Sequence, residues 1–473
     1  MKRLLSIVLA VAMCLSVLLL AGCGRKKIAE ADLGGGYDGS EVTITFYHTM
    51  SATNLQPVLD DAIARFNELY PKITVKHKQV GDYDAVRNQI KTELTVGGQP
   101  NIAYCYPDHV ALYNVAKAVV PLDDLIASTV EVTRADGTKE IMGLTEEQVG
   151  NYIEGFYNEG RAYGDGKMYT LPFSKSTEVL YYNKTFFEAN NLSVPTTWDE
   201  MEALCETIKG IAPNSTPLGY DSENNWFITM CEQYGSDYTS ATKVNGSNYL
   251  FDNETNHAFV ERFASWYAKG WVTTKELSGG YTSDAFKKAD GELGKSYMSI
   301  GSSAGAVHQA PDQVNGEYPF EVGIVPIPQV DPANPKVISQ GPSVCIFQQT
   351  NEQEVYASWL LVKFLTTDVE FQASFSEASG YVPAIKNVND DEIYKEFLDS
   401  ADGYKTGIAA YSAKVCLEQE KAYYVSPAFN GSSTARDEVG LLMQTCFSNY
   451  ESAADKLAMI KEKFKAAIEE CEY

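Results

Sequence analysis

One segment near the start of the chain, EVTITFYHTMSATNLQPVLDDAIARFNELYP, restricts the fold more than any other stretch. Val42, Ile44 and Phe46 alternate with Thr43, Thr45 and Tyr47, the period-2 pattern of a strand. Leu55, Val58, Leu59, Ala62, Ile63, Phe66 and Leu69 then recur at helical spacing, and Pro71 marks the stop. Strand-like runs at Ile73–Val80, Val179–Tyr182, Tyr297–Ile300, Val322–Val325 and Val344–Phe347 alternate with further helical patterns. That alternation predicts an α/β body. Tyr47 and His48 fall at the carboxyl end of the first strand, where open α/β sheets hold their ligands. Near the other end, Leu457, Ile460, Phe464, Ala467, Ile468 and Cys471 mark one face of a helix that docks on the body.

The first residues form an address. Lys2 and Arg3 precede an apolar run from Leu4 to Leu20, and Leu-Ala-Gly-Cys follows. A basic start, an apolar middle and small residues before a cut are the parts of a secretory signal. The cysteine after Leu-Ala-Gly resembles a bacterial lipobox, so residues 1–23 read as a signal peptide and Cys23 as the lipidated residue. Residues 24–40, polar and glycine-rich, then read as a flexible tether with a reach of roughly 20–25 Å. About 430 residues remain, enough for two lobes.

The formal charge is −25, and it becomes more negative once the leader's Lys2 and Arg3 are removed. Such a body repels nucleic acid and anionic lipid surfaces, and any anionic ligand must be held by local groups. Seven cysteines follow Cys23, widely spaced, with no CxxC, which favours buried free thiols over a disulfide framework or a zinc site.

Enzyme signals are sparse. Gly301-Ser302-Ser303-Ala304-Gly305 satisfies G-x-S-x-G after a strand, but a hydrolase of that kind also needs an acid and a later histidine. His308 alone follows Ser303, five residues on, too near to serve from a distant loop. The better reading is that small residues let backbone amides at a helix start face an anion or a hydroxyl. No HExxH or Walker loop occurs, GxGxxG is met only at Gly34–Gly39, ahead of the first strand rather than between a strand and a helix, and the histidines lack metal spacing, so no cofactor or metal is expected. A carboxylate pair of the glycosidase kind is not singled out by any pattern.

The run PFSKSTEVLYYNK sets a hydroxyl cluster and one lysine ahead of an apolar strand. Thirty tyrosines and Trp226, in ENNWFITMCEQYG, offer apolar faces with polar edges to a polyol or sugar. Trp198 reads instead as part of a helix start capped by Thr197, and Trp266 and Trp271 as core.

YYNKTFFEANNLSVPTTWDEM resembles a segment of the extracellular solute-binding proteins of ABC importers, family 1, which bind sugars and related solutes. FNELYPKITVK, GQPNIAYCYPDHV, GIVPIP and ASGYVPAIKNV follow in the family's order, so the likeness runs from about Val42 to beyond Arg436. VEVTRADGTKEIMGLTEE and the stretch after Val388 stand out as insertions. The resemblance implies a two-lobed periplasmic-binding-protein-like fold of type II, with mixed sheets, helices on both faces and a hinged cleft. It implies an N-terminal lobe of 41–174 plus 302–343 and a C-terminal lobe of 175–301 plus 344–473. Crossings between them are expected at Lys175–Val179, Ile300–Ser303 and Gly341–Ile346.

Within that family the nearest likeness is to the glycerol-3-phosphate-binding members. It implies ligand contacts from Tyr47, His48, Ser176, Thr177, Ser302, Ser303, Gly341 and Tyr381, with Asp84 at the glycerol hydroxyls and Arg436 on the phosphate. A planar guanidinium grips two phosphate oxygens at once, while a carboxylate and the Trp226 indole suit the polyol end. Two departures stand out: the family's Gly-Gly turn is Gly341-Pro342 here, which removes a backbone donor, and Asp84 is a shorter acid. Arg436 has a competing reading as an ion pair with Asp437 or Glu438. The implied function is a non-enzymatic substrate-binding lipoprotein outside the cytoplasm, acting as a monomer and delivering solute to membrane permease subunits. Alternatives are an oligosaccharide-binding protein, a secreted hydrolase, and a sensor that presents its ligand to a membrane kinase.

Overall fold

The computed structural model describes residues 33–472. The expected leader and Cys23 lie outside the described residues. Ten strands build two central sheets: β1 (Val42–His48), β2 (Ile73–Gln79), β3 (Ile102–Cys105), β4 (Leu171–Pro172), β5 (Glu178–Asn183), β6 (Leu218–Tyr220), β7 (Val272–Thr274), β8 (Met298–Ser302), β9 (Val322–Pro326) and β10 (Ser343–Ile346). The helices that matter below are α1 (Gln56–Leu69), α2 (Tyr83–Leu94), α3 (Pro107–Asn114), α4 (Glu223–Tyr234), α5 (Glu254–Ala268), α6 (Glu352–Thr367), α7 (Val369–Ser379), α8 (Ile408–Glu418), α9 (Ser432–Tyr450) and α10 (Lys456–Glu472).

The first sheet has the order β2-β1-β3-β10-β4, with β1 parallel to β2 and β3, and β10 antiparallel to β3 and β4. In β1 the alternation works as its sequence predicts: Val42, Ile44 and Phe46 are buried while Thr43 faces out. The central strands β3 and β10 are buried at every position, as strands covered on both faces must be. One face packs on Leu59, Ile63 and Phe66 of α1 and Trp359 of α6, and the other on Val86 and Ile90 of α2 and Tyr113 of α3.

The second sheet has the order β7-β6-β8-β5-β9, with β5 antiparallel to both β8 and β9. One face carries a large aromatic core of Trp198, Trp226, Phe263 and Phe447. The other packs Val179, Tyr181 and Ile324 against Ile408 of α8. Thr197 and Glu200 form both halves of a capping box at the helix Trp198–Ile211, as the sequence predicts. The terminal helix α10 buries Ile460, Phe464, Ala467 and Cys471 against this second core, though Leu457 stays exposed.

The lobe boundaries differ from the expected ones. Val322–Pro326 belongs to the second sheet and Ser343–Ile346 to the first, and α6 and α7 pack with the first lobe. Segment 302–343 therefore does not belong wholly to the N-terminal lobe, nor 344–473 wholly to the C-terminal one. The chain crosses between β4 and β5, between β9 and β10, and again between Leu398, packed on the first core, and Ile408, in the second. Ile300–Ser303 is no crossing, because β8 and β9 lie in the same sheet.

The end of the expected tether is also docked. The Gly35 amide donates to the Tyr356 hydroxyl at 3.1 Å, and the Asp38 amide to Gln353 at 2.9 Å. Leu33 and Tyr37 are buried in the first core. The expected insertion after Thr129 folds as an antiparallel hairpin, Glu131–Thr133 on Lys139–Ile141. Among the described residues no helix is long and apolar enough to cross a membrane. All seven described cysteines are free and buried.

Candidate functional site

Helix starts and loops from both sheets' lobes converge on a cleft of about 400 Å³ between the lobes. From the first lobe, α2 begins at the cleft because Asp82 caps it, its carboxylate accepting the Ala85 amide at 2.8 Å. That start presents Tyr83, Asp84 and Arg87. The α3 start, with Pro107 in its first turn, brings Tyr106, Asp108 and His109. From the second lobe, α9 begins after Gly431, whose φ of 113° belongs to the left-handed region, and turns Ser432, Ser433 and Arg436 into the cleft. The segment Ile338–Gln340 forms part of the lining, as do Tyr238 and Ser426.

The electrostatics are uneven. Arg87 is spoken for: it lies 3.3 Å from Asp84 and donates to Ser433 across the cleft at 2.6 Å. Glu159 is buried beside Lys175, whose ammonium donates to it at 2.5 Å and to Ser343 at 3.0 Å. Arg436 differs, for among the described residues it enters no ion pair and donates only to the amide oxygen of Asn225. Among the described residues the Tyr238 hydroxyl has no partner in its buried position, and burial raises its pKa while the Arg436 charge lowers it. His109 Nδ1, Gln340 Nε2 and Ser426 Oγ are likewise buried atoms without partners on the lining. Buried polar atoms are normally satisfied, so such a group of orphans on residues that line one cavity marks it as a candidate ligand site.

The structure scatters the residues expected from the sequence. Asp84 and Arg436 line the cleft, from opposite lobes. Tyr381 stands just behind it, its hydroxyl 3.3 Å from that of Tyr83. Ser176, Thr177, Ser302, Ser303 and Gly341 gather instead where the chain crosses between lobes. There the Thr177 amide donates to the Ser303 hydroxyl at 3.1 Å, and the Thr177 hydroxyl to the Ile338 carbonyl at 2.7 Å. Ser302 and Ser176 hydroxyls lie 3.3 Å apart, and Ser176 pairs by backbone with Gln340. Ser303 is fully buried with its hydroxyl held by an amide, and His308 is not among its partners.

Three expectations are corrected outright. Trp226 is not on the cleft: it is fully buried and stacks on Tyr220 at 4.7 Å inside the second core. His48 is fully buried too, because its side chain falls on the inner face of β1 with Phe46. The Met50 amide donates to its Nδ1 at 3.1 Å, leaving Nε2–H to donate to His77 at 2.9 Å, and His77 in turn reaches Asp60 at 2.8 Å. Burial, and then the neighbouring His77, lower the His48 pKa to about 4, so it stays neutral. Tyr47 points to the other side, donating to Glu93 at 3.3 Å beneath Lys78.

Residues the sequence reading missed are Tyr106, Asp108, His109, Glu159, Tyr238, Gln340 and Ser426. For the first three a signal existed, since CYPDHV runs out of the end of β3 as YHTM runs out of the end of β1, at the same ligand-bearing sheet end. Tyr238 and Ser426 sit in loops with no local pattern to mark them.

Residues 61–399 match the family model of the bacterial extracellular solute-binding proteins. A multiple sugar-binding protein of Streptococcus mutans is 25% identical over 243 residues, covering 51% of this chain and 50% of that one. The chain thus spans half the length of that relative. The sn-glycerol-3-phosphate-binding periplasmic protein UgpB of Rhizobium meliloti is 26% identical over 313 residues, 64% of this chain and 69% of its own. In three dimensions the chain superimposes on UgpB from Mycobacterium tuberculosis, solved in complex with glycerophosphocholine, with a TM-score of 0.67. That match has 17% identity and covers 91% of this chain and 99% of the other. The fold is therefore the two-lobed type II arrangement.

Proposed function

Since the chain belongs to the family of bacterial extracellular solute-binding proteins, we propose that its interlobe cleft captures a small polyol or sugar outside the cytoplasm and that the loaded protein delivers it to ABC permease subunits. The first choice of solute is glycerol-3-phosphate or a glycerophosphodiester. One observation carries that choice: Arg436 lies on the cleft at the start of a long helix, without an ion pair among the described residues. Its remaining guanidinium donors are available to phosphate oxygens, and the positive end of the α9 dipole adds to the attraction. The orphaned Tyr238 hydroxyl and Gln340 amide would complete the cage, and Asp84 would take a glycerol hydroxyl. Ser176, Thr177, Ser302, Ser303 and Gly341 act on this reading as the joint that shapes the cleft floor. On this reading the protein captures its solute without turning it over. A lipid on Cys23 would hold the body to the membrane, and radiolabelled fatty acid incorporation lost in Cys23→Ala would test it.

A neutral oligosaccharide is the second reading, favoured by the acids Asp82, Asp108 and Asp437 and the faces of Tyr83, Tyr106 and Tyr281 on the same lining. Calorimetric titration of the chain from Gly24 with sn-glycerol-3-phosphate, glycerophosphocholine and maltotriose separates the two. The phosphate reading expects affinity for the first two, weakened at least about tenfold in Arg436→Ala, as for a charge-assisted hydrogen bond. Heat from maltotriose alone, unchanged by that substitution, would move the assignment to the neutral sugar.

A further inference from the structure

Arg436 is the group on which the proposed phosphate capture turns, and something must hold it. Its guanidinium donates to the Oδ1 of Asn225, the third residue of α4. The other end of that amide donates from Nδ2 to Oε1 of Glu178 at 3.0 Å. Glu178 Oε2 accepts the Tyr220 hydroxyl at 2.5 Å. Asn225 is 4% exposed and Glu178 1% exposed, so the link between them is shielded from solvent.

We infer that Asn225, locked by Glu178, is the positioning residue that aims Arg436 into the cleft. The logic is one of donor and acceptor polarity. A guanidinium only donates, so it takes the amide oxygen; a carboxylate only accepts, so it takes the amide nitrogen. Both ends therefore demand the same orientation of the Asn225 amide, and the alternative flip would set two donors and two acceptors face to face. The carboxylate is fixed in turn from β6 by Tyr220. Because Glu178 opens β5 directly after the first crossing, the chain of bonds runs from the interlobe joint to the ligand-facing arginine. A buried carboxylate retained in an apolar core without a salt bridge would otherwise be a liability. This inference rests on the reading of Arg436 as a ligand group.

The same geometry makes the relay pH-sensitive. Burial raises the Glu178 pKa to about 7, against lowering by Tyr220, Asn225 and Arg436, with Asp221 raising it further; Tyr424 also faces it. Protonation removes the strong acceptor that orients Asn225, so the hold on Arg436 weakens as pH falls through that value.

The test compares the wild type with Arg436→Ala, Asn225→Ala and Glu178→Gln. Each is titrated with glycerophosphocholine, whose phosphodiester charge is constant over the range, and with maltotriose between pH about 5.5 and about 8.5, with thermal melting as a check on folding. Expected is a loss of about tenfold in Asn225→Ala for the probe that Arg436→Ala loses, with cooperative melting retained at a lowered midpoint. Glu178→Gln, which keeps the shape and removes the charge, should erase the part of the pH profile centred near neutrality. A folded Asn225→Ala with wild-type affinity, or a Glu178→Gln profile superimposable on the wild type, overturns the relay while leaving Arg436 as a ligand group. If Arg436→Ala itself is silent with both probes, the reading of that arginine and the relay fall together.

Discussion

His48 illustrates how a residue can sit at the right address and face the wrong way. The sheet-end rule placed it correctly at the end of β1, but the period-2 pleat that buries Val42, Ile44 and Phe46 also buries position 48. Its neutrality has a measurable consequence. Unfolded, a histidine takes up a proton below pH about 6.5; folded, His48 resists protonation down to about 4. Between those values the unfolded chain binds more protons, so stability is fully present above the upper value and declines as pH falls toward the lower. The fall attributable to this one side chain is of order 3 kcal/mol at its end. Urea denaturation of wild type and His48→Gln across that window checks it, and the difference between their stabilities should shrink on acidification. A constant difference would remove His48 from the acid sensitivity of the fold. At the same scale, Trp226 misled for a plain reason: ENNWFITMCEQYG exposes no helical face without apolar neighbours, so composition alone could not tell a sugar platform from a core aromatic.

Among elements, the turn at Gly341 concentrates the demands of the interlobe joint. Its φ is 91°, and a Cβ there would lie 2.5 Å from the Ser174 carbonyl and 2.8 Å from the Lys175 Cα. Both obstacles are backbone, so neither can move aside. Gly341→Ala should therefore destabilise the chain by about 2 kcal/mol or more, read as a lowered denaturation midpoint with an unchanged urea slope. A variant as stable as the wild type would mean that the joint relaxes freely. Lys175, with its ammonium between the Gly341 carbonyl, Ser343 and Glu159, shows why so compact a joint is needed. A buried pair of this kind holds only while every partner stays in place. Much of this level was legible beforehand. The strands, the Thr197 capping box and the terminal helix were visible because periodicity and capping act within a few residues. Lobe membership was not, because whether Val322–Pro326 pairs with β5 or with the first sheet is decided by contacts more than a hundred residues apart. For the cleft, Asp84 and Arg436 came from resemblance, whereas Tyr238 depends on how two lobes meet and leaves no local trace.

For the whole molecule, the formal charge of −25 constrains the ligand as well as the partners. The two lobes meet across the cleft where Arg87 of α2 bonds Ser433 of α9, beside the space the solute would fill. An anionic solute approaches against the field of the whole body and is captured only once it reaches Arg436. Repulsion over that distance is screened by salt, with a Debye length of about 30 Å at 0.01 M and about 10 Å at 0.1 M. The association rate for a phosphate ligand should consequently rise with ionic strength, while its dissociation rate also rises as the local Arg436 contact is weakened. A neutral sugar feels neither effect, so both of its rates should be flat over the same range. Stopped-flow fluorescence at several salt concentrations reads both rates at once. An association rate that falls with added salt would show attraction at long range, and it would place a cation, rather than a phosphate or a neutral sugar, in the cleft that Asp82, Asp108 and Asp437 share with Arg436.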